Sequence, residues 1–252
     1  GTNSTATVQI GKSDFSTSPA LNILDDNIEI AVAGTGTWTQ YGGTMLQSGP
    51  SGGNDNLVVT QDAGSVGAFN LYGGTFDLRG TSGEATDGQM NFNRGVGTAT
   101  ISGPTARLYV SNNLNLGQQP GAQGVVTIAN GAEMHIRNNI EYRSGGMIDA
   151  VNLQGGLLNF YGNAGAINMA DPDDQFNWTG GRLQNLTTFN GLNGTEYVAD
   201  TGGANHGLLR PASPTLAAGK VGNALDFVNT GAENNLVDFG DMLHGPVALD
   251  AA

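Results

Sequence analysis

The chain has 252 residues, of which 41 are glycine and only 12% are charged, so it is rich in tight turns and poor in helix formers. Its 22 acidic residues outnumber nine basic ones and give a net charge of −13, which argues against nucleic acids and anionic membranes as partners. The absence of cysteine excludes disulfides and thiolate metal sites, and no apolar run approaches the roughly 20 residues that span a bilayer.

Residues 1–33 come before the first repeat. The chain begins with Gly-Thr-Asn and not with a basic start and an apolar signal core, which indicates a processed form or a fragment. The segment 21–33 is more continuously apolar than the repeats that follow it. Because the exposed end of a solenoid is an open sheet edge, we predict that residues 1–33 form an N-terminal cap or the first coil.

A pair of turn residues then recurs six times between short strand-like runs, at steps of 31, 30, 27, 25 and 25 residues. Each repeat contains three short runs in which apolar and polar residues alternate, and the connections between them are too short for helices. A period of this size with a constant internal pattern indicates a chain that coils. The turn pairs are Gly42-Gly43, Gly73-Gly74, Gly103-Pro104, Asn130-Gly131, Gly155-Gly156 and Gly180-Gly181.

We therefore predict an all-β fold, with a right-handed parallel β-helix of three strands per coil over residues 34–190. Each coil buries its apolar side only against its neighbours, so the core should be a stack of inward-facing side chains. This predicted inward set is Phe69, Leu71, Phe76, Leu78, Phe92, Ile101, Leu108, Val110, Leu114, Leu116, Val126, Ile128, Met134, Ile136, Ile140, Val151, Leu153, Leu158 and Phe160.

The repeat style resembles that of a known group of proteins. The stretches 114–117 (LNLG) and 121–128 (GAQGVVTI) are typical of the autotransporter-type and pectin-lyase-like β-helix repeats of large bacterial surface proteins. The resemblance covers residues 34–190 and implies a secreted or cell-surface location. It also implies a passenger domain or adhesin more often than an enzyme.

The turn-pair period ends near residue 190, and residues 191–252 have a different pattern. The segments 200–207 (DTGGANHG), 219–227 (GKVGNALDF) and 236–240 (LVDFG) resemble the opening third of a laminin-G-like, concanavalin-type jelly-roll domain. The later strands that complete two facing sheets are missing before Ala252. The resemblance thus implies an incomplete jelly-roll-like segment, which is truncated, processed or completed on a neighbouring molecule.

An acidic cluster precedes the last turn pair. Asp171, Asp173 and Asp174 are candidate calcium ligands, since Asn168 and backbone carbonyls could supply the other oxygens of a six- to eight-coordinate site. The favoured alternative is a solvated corner between coils. A third interpretation, the paired carboxylates of a polysaccharide-cleaving β-helix, needs a nearby basic residue, and Arg182 is the nearest in sequence. We predict no catalytic residues.

Six aromatic residues lie at comparable strand or corner positions, and they form either an outward ladder for sugar stacking or part of the core and corners. Tyr41 and Tyr72 directly precede the glycines of successive turn pairs, so we expect them to stack on each other. His135 lies between Met134 and Ile136 and should point outward. The six aromatics are Trp38, Tyr41, Tyr72, Tyr109, Tyr142 and Trp178.

The sequence therefore predicts a secreted or cell-surface structural or adhesive protein that is not an enzyme. We expect it to self-associate, as the subunit of an extracellular filament or sheath, because open solenoid ends and unpaired tail strands invite pairing with the next copy. Calcium is the only cofactor predicted, and a divalent cation or an apolar contact should offset the charge of −13. The alternative is a carbohydrate-binding or polysaccharide-cleaving module, marked by outward Asp, Arg and aromatic residues in one groove.

Overall fold

The computed structural model describes residues 4–14, 19–23, 27–47, 56–79, 88–143, 147–162, 165–171 and 173–190, together with three short strands after residue 190. Within these residues every regular element is a β-strand, and no helix there is long and apolar enough to cross a membrane. The strands form a parallel β-solenoid of about six turns.

The strands of the solenoid follow one another in an order that repeats along the chain. Their bounds are β1 Thr5–Ile10, β2 Ala20–Ile23, β3 Ile28–Ala31, β4 Thr35–Gln40, β5 Thr44–Gln47, β6 Leu57–Thr60, β7 Val66–Leu71, β8 Gly74–Asp77, β9 Met90–Phe92, β10 Val96–Ser102, β11 Ala106–Val110, β12 Leu114–Leu116, β13 Gln123–Ala129, β14 Glu133–Ile136, β15 Asn139–Tyr142, β16 Ala150–Phe160, β17 Gly165–Asn168, β18 Gln175–Gln184 and β19 Leu186–Asn190.

Between the first and the last turn, each strand pairs in parallel with its counterparts in the turns before and after it. On one side of the solenoid the order is β1, β4, β7, β10, β13, β16 and β18, and on a second side it is β2, β5, β8, β11, β14 and β16. A separate sheet has the order β3, β6, β9, β12, β15, β17 and β19. The long strands β16 and β18 run through the corner between the first two sides, so β16 pairs with both β13 and β14.

The predicted turn pairs form this corner. Gly43, Gly74, Gly103, Gly131, Gly155 and Gly181 have φ angles of 79° to 108°, and Asn130 has a φ of 54°. Glycine adopts such angles without the Cβ penalty that other residues carry, and asparagine tolerates them. At Gly74 a second reason applies, because an added Cβ would lie 2.2 Å from the carbonyl oxygen of Gly43 in the neighbouring turn.

The interior is the continuous stack of side chains that the alternation predicts. All nineteen residues of the predicted inward set are fully buried. Phe76 packs edge-on against Trp38 and Phe69, with ring centroids 5.6 Å and 4.9 Å apart. The outward aromatic ladder is wrong for Trp38, Tyr142 and Trp178, which are buried, whereas Tyr41 and Tyr72 stack as expected with centroids 5.5 Å apart.

Asparagine side chains connect successive turns at another corner. The Asn27 carboxamide oxygen accepts the Asn56 N–H at 3.1 Å, and Asn113 does the same for the Asn139 N–H one repeat apart. Asn139 in turn accepts the N–H of Ala166 at 3.2 Å. These bonds satisfy backbone N–H groups at the starts of strands, where the backbone hydrogen bonds between neighbouring strands begin.

The pairing pattern changes after residue 190. The short strands β20 (Val198–Ala199), β21 (Gly207–Leu209) and β22 (Leu236–Asp238) pair antiparallel, and β20 lies beside β18. Most of the laminin-G-like segment, including all of 219–227, lies outside the described residues. The three described strands after residue 190 thus pair antiparallel, unlike the strands of the solenoid.

Candidate functional site

The first turn of the solenoid presents an uncovered apolar edge. Val8 on β1 and Leu21 on β2 occupy the same inward columns as Trp38 and Met45 in the next turn. Val8 is 44% exposed and Leu21 is 39% exposed, whereas Trp38 and Met45 are buried. In the part of the chain that the structure describes, no strand pairs with the outer edges of β1, β2 or β3. This edge offers both hydrogen-bonding groups and apolar surface to a further strand.

A second feature is a cluster of polar and aromatic side chains on the outside of β8, β11 and β14. Alternation along these strands turns Asp77, Tyr109 and His135 outward while their neighbours Phe76, Leu108 and Met134 are buried. The parallel register places the three outward residues side by side. We call the following set the polar–aromatic face: Asp77, Arg79, Arg107, Tyr109, Glu133 and His135.

Planar groups stack across three turns at the centre of this face. The Arg79 guanidinium carbon lies 3.6 Å from the centroid of the Tyr109 ring. The His135 ring is nearly parallel to Tyr109, at 10°, with centroids 4.6 Å apart. Asp77 holds Arg79 in place through two hydrogen bonds of 2.9 Å and 2.7 Å. Such bidentate pairs fix orientation as well as charge.

The ionisation of the stacked groups is also constrained. The hydrogen bond to Asp77 raises the pKa of Arg79 despite partial burial, so Arg79 stays a cation and cannot act as a base. Burial lowers the pKa of His135, and its contact with Glu133 opposes this. The Asn159 amide lies 3.1 Å from Nδ1 and the Glu133 carboxylate 3.1 Å from Nε2. These partners fit a neutral imidazole with its proton on Nε2.

The arrangement suits binding better than proton transfer. Arg107 donates to Glu133 at 3.2 Å, so the face combines cations, carboxylates and amides that already pair with one another. Nearby, Tyr161 donates to the Val110 carbonyl, and burial raises its pKa to about 12. Because Arg79 and His135 cover both sides of the Tyr109 ring, a ligand would meet ring edges and hydrogen-bonding groups rather than an open ring face.

The predicted calcium ligands differ in their burial. Asp173 is exposed and Asp171 half-buried, while Asp174 is buried. One Asp174 oxygen accepts the N–H groups of Ala170 and Asp171 at 3.0 Å and 2.9 Å, which closes the corner before β18. Across the described ranges, no three His, Asp or Glu side chains are grouped so that they could hold a metal. Calcium at this corner remains a prediction, and Arg182 is exposed on β18.

Sequence reasoning missed Asp149, which is fully buried one turn before Asp174. Its Oδ1 accepts the Gly124 N–H at 2.6 Å, and its Oδ2 is buried without a hydrogen-bond partner. Burial raises its pKa to about 7, the Gly124 bond opposes this, and the charges of Asp174 and Asp171 add to it. The sequence did contain one signal, which is that aspartate replaces glycine at this register position. The four preceding turns carry buried glycines there, namely Gly36, Gly67, Gly97 and Gly124.

The chain matches no protein-family model, no curated protein and no solved structure. The resemblance to β-helix repeats is therefore supported by the repeat pattern and by the parallel solenoid alone.

Proposed function

We propose that the chain is an extracellular structural or adhesive β-solenoid that self-associates into a filament or sheath. The outer edge of its first turn would bind the C-terminal part of a second copy, where strands of an incomplete jelly-roll-like segment follow the solenoid. We further propose three strands per turn, as in β4–β6 and β7–β9, and right-handed winding, because parallel crossover connections are almost always right-handed. The exposure of Val8 and Leu21 at the start of otherwise buried columns is the observation that carries the proposal.

Strand addition at this edge has a clear physical driving force. The turns between the first and the last bury their inward side chains and pair their backbone on both sides, whereas the first turn pairs its backbone on one side only. A second copy would supply the missing backbone partners and cover Val8 and Leu21. Contacts that repeat head to tail without closing produce a filament. The charge of −13 opposes the association, so a divalent cation should promote it.

The test is electron microscopy combined with light scattering of the purified chain, in calcium and in chelator. Val8→Lys places a charge on the proposed interface and should abolish assembly. Val66→Lys is the matched control, because Val66 is 49% exposed but faces outward on β7, and it should assemble as the unchanged chain does. Monodisperse monomers of the unchanged chain in both conditions would refute the proposal, as would equal assembly of the two variants.

A second candidate function is saccharide binding at the polar–aromatic face. The favouring observation is that outward Asp, Arg and aromatic residues gather on one side, with Asp77, Arg79, Tyr109 and His135 in contact across three turns. Sugar hydroxyls both donate and accept hydrogen bonds, and charged and amide groups beside aromatic edges can serve them. Cleavage has less support, because the arginines of this face are paired cations.

A glycan array tests this candidate directly. Tyr109→Ala removes the middle of the stack and should abolish binding. Tyr41→Ala is the control, because Tyr41 belongs to an outward stacked pair elsewhere and should bind as the unchanged chain does. No binding by the unchanged chain, together with no turnover of pectin-like polymers, would count against a carbohydrate module.

A further inference from the structure

Two carboxyl groups lie inside the solenoid on neighbouring turns. Asp149 precedes Ala150 and Asp174 precedes Gln175, and these two followers are paired across β16 and β18. The Gln175 N–H also donates to the Asp149 carbonyl oxygen at 2.9 Å. Neighbouring parallel strands lie about 4.8 Å apart, and both side chains are buried, so Asp149 and Asp174 occupy adjacent places in one inward column.

This column has no room for side chains in the earlier turns. A Cβ on Gly36 would lie 1.8 Å from the Ile30 carbonyl oxygen, and one on Gly97 would lie 2.4 Å from the Phe92 ring. In the last two turns this column holds carboxyl groups in place of glycine. Gly117 contributes to this, because a Cβ there would lie 2.0 Å from Asp149 Oδ2.

The hydrogen bonds at this place leave two oxygens unsatisfied. Asp149 uses Oδ1 for Gly124, and Asp174 uses Oδ2 for two backbone N–H groups. Asp149 Oδ2 and Asp174 Oδ1 are both buried without a partner. Asp149 is 0% exposed and Asp174 is 4% exposed, so both carboxyl groups are shielded from bulk solvent. Unpaired buried oxygens of this kind are costly unless a proton or a cation meets them.

No basic side chain of the described residues compensates the pair. The charges that act on Asp149 are those of Asp174 and Asp171, and all are acidic. Arg143 is next to Tyr142 in sequence, but its guanidinium reaches Asn115 at 3.4 Å. The Tyr142 hydroxyl donates to the Gln175 carbonyl at 2.8 Å, and burial followed by the charges of Asp174 and Asp149 raises its pKa, so this neutral oxygen lies near both carboxyl groups. Two carboxylates match the charge of one divalent cation.

We propose that Asp149 and Asp174 form an internal binding site for one calcium ion between the last two turns of the solenoid. Their two unpartnered oxygens would be charged ligands, and Tyr142, backbone carbonyls and water would complete the oxygen shell that calcium requires. The site differs from the predicted corner site, because it includes Asp149 and excludes the exposed Asp173. It goes beyond the proposed self-association and does not depend on it.

The test is terbium luminescence, with Tb³⁺ as the calcium probe and Tyr142 and Trp178 as the nearby sensitisers. We expect one saturable site that calcium displaces. Asp149→Asn and Asp174→Asn should each weaken Tb³⁺ binding by about tenfold or more, since charged ligand count sets affinity in such sites. Asp173→Asn should bind as the unchanged chain does. Loss of binding in Asp173→Asn but not in Asp149→Asn would overturn the proposal in favour of the corner site.

A second measurement uses thermal stability as the readout. Calcium should raise the melting temperature of the unchanged chain at pH 8 relative to chelator, in proportion to the logarithm of its concentration. The same addition should not affect Asp149→Asn, which keeps an acceptor for the Gly124 N–H. A melting temperature of the unchanged chain that calcium does not alter would overturn the proposal and would indicate that protons alone occupy the pair.

Discussion

Replacing Asp149 by asparagine in metal-free buffer should stabilise the protein, and the gain should depend on pH. Asparagine removes the buried charge and keeps an acceptor for the Gly124 N–H. In the unchanged chain the pKa of Asp149 rises from its ordinary 3.8 to about 7, first because of burial and then because of Asp174 and Asp171. The folded protein therefore holds a proton that the unfolded chain loses above pH 4.

The direction and size of the effect follow from this difference. The contribution of Asp149 to the stability of the unchanged chain should be most favourable below pH 4, should fall as the pH rises from about 4 to 7, and should then level off. A difference of about three pKa units corresponds to about 4 kcal/mol, which is an upper value because the site can relax. Asp149→Asn lacks this loss, so at pH 8 it should exceed the unchanged chain by up to about 4 kcal/mol.

Urea denaturation in chelator at pH 4, 6 and 8 measures the effect, with Trp38 and Trp178 as fluorescent reporters near the two ends of the solenoid. Asp173→Asn is the matched control, because Asp173 is exposed, and its stability should follow that of the unchanged chain. An advantage of Asp149→Asn that is the same at pH 4 and pH 8 would refute the reasoning. So would a variant that is less stable than the unchanged chain at pH 8.

Three further substitutions test the packing, each by urea denaturation. Phe76→Ala should cost about 3–5 kcal/mol, since the ring is fully buried between other aromatics, and a cost below about 1 kcal/mol would contradict that packing. Gly74→Ala should be far more destabilising than Gly121→Ala. Both glycines have a positive φ, but a Cβ at Gly121 would enter open space, so this substitution should lower the free energy of unfolding by only about 1 kcal/mol. Asn139→Ala should cost about 1–3 kcal/mol, because it leaves the Ala166 N–H unpaired and removes the amide that donates to Glu141, and unchanged stability would contradict these contacts.

Local patterns were sufficient to predict most of the solenoid. Alternation identifies the inward residues because a strand points successive side chains to opposite sides. In a stack of coils, only one of these sides faces the interior of the solenoid. The turn pairs were predictable for a related reason, since a tight corner needs positive φ, which glycine and asparagine supply. Stacking of Tyr41 on Tyr72 followed from their equal place in successive repeats.

The candidate sites depended on information that neighbouring residues in sequence do not carry. Asp149 and Asp174 lie in neighbouring turns of the same column because of the length of the turn between them, and no short motif encodes this. Arg79 reaches Tyr109, and Tyr109 reaches His135, for the same reason. Predicting these contacts needs the register between turns, which the variable step of 31 to 25 residues obscures.

Both the surface sites and the buried carboxyl pair depend on the in-register parallel pairing of successive turns. Because the chain lacks cysteine, engineered cysteines can test it directly. Thr100 and Thr127 are paired on the outside of β10 and β13, at a separation that a disulfide can bridge. Oxidation should link Thr100→Cys to Thr127→Cys rapidly, and Thr98→Cys to Thr127→Cys much more slowly. Equal rates, or faster linkage of the second pair, would contradict the register.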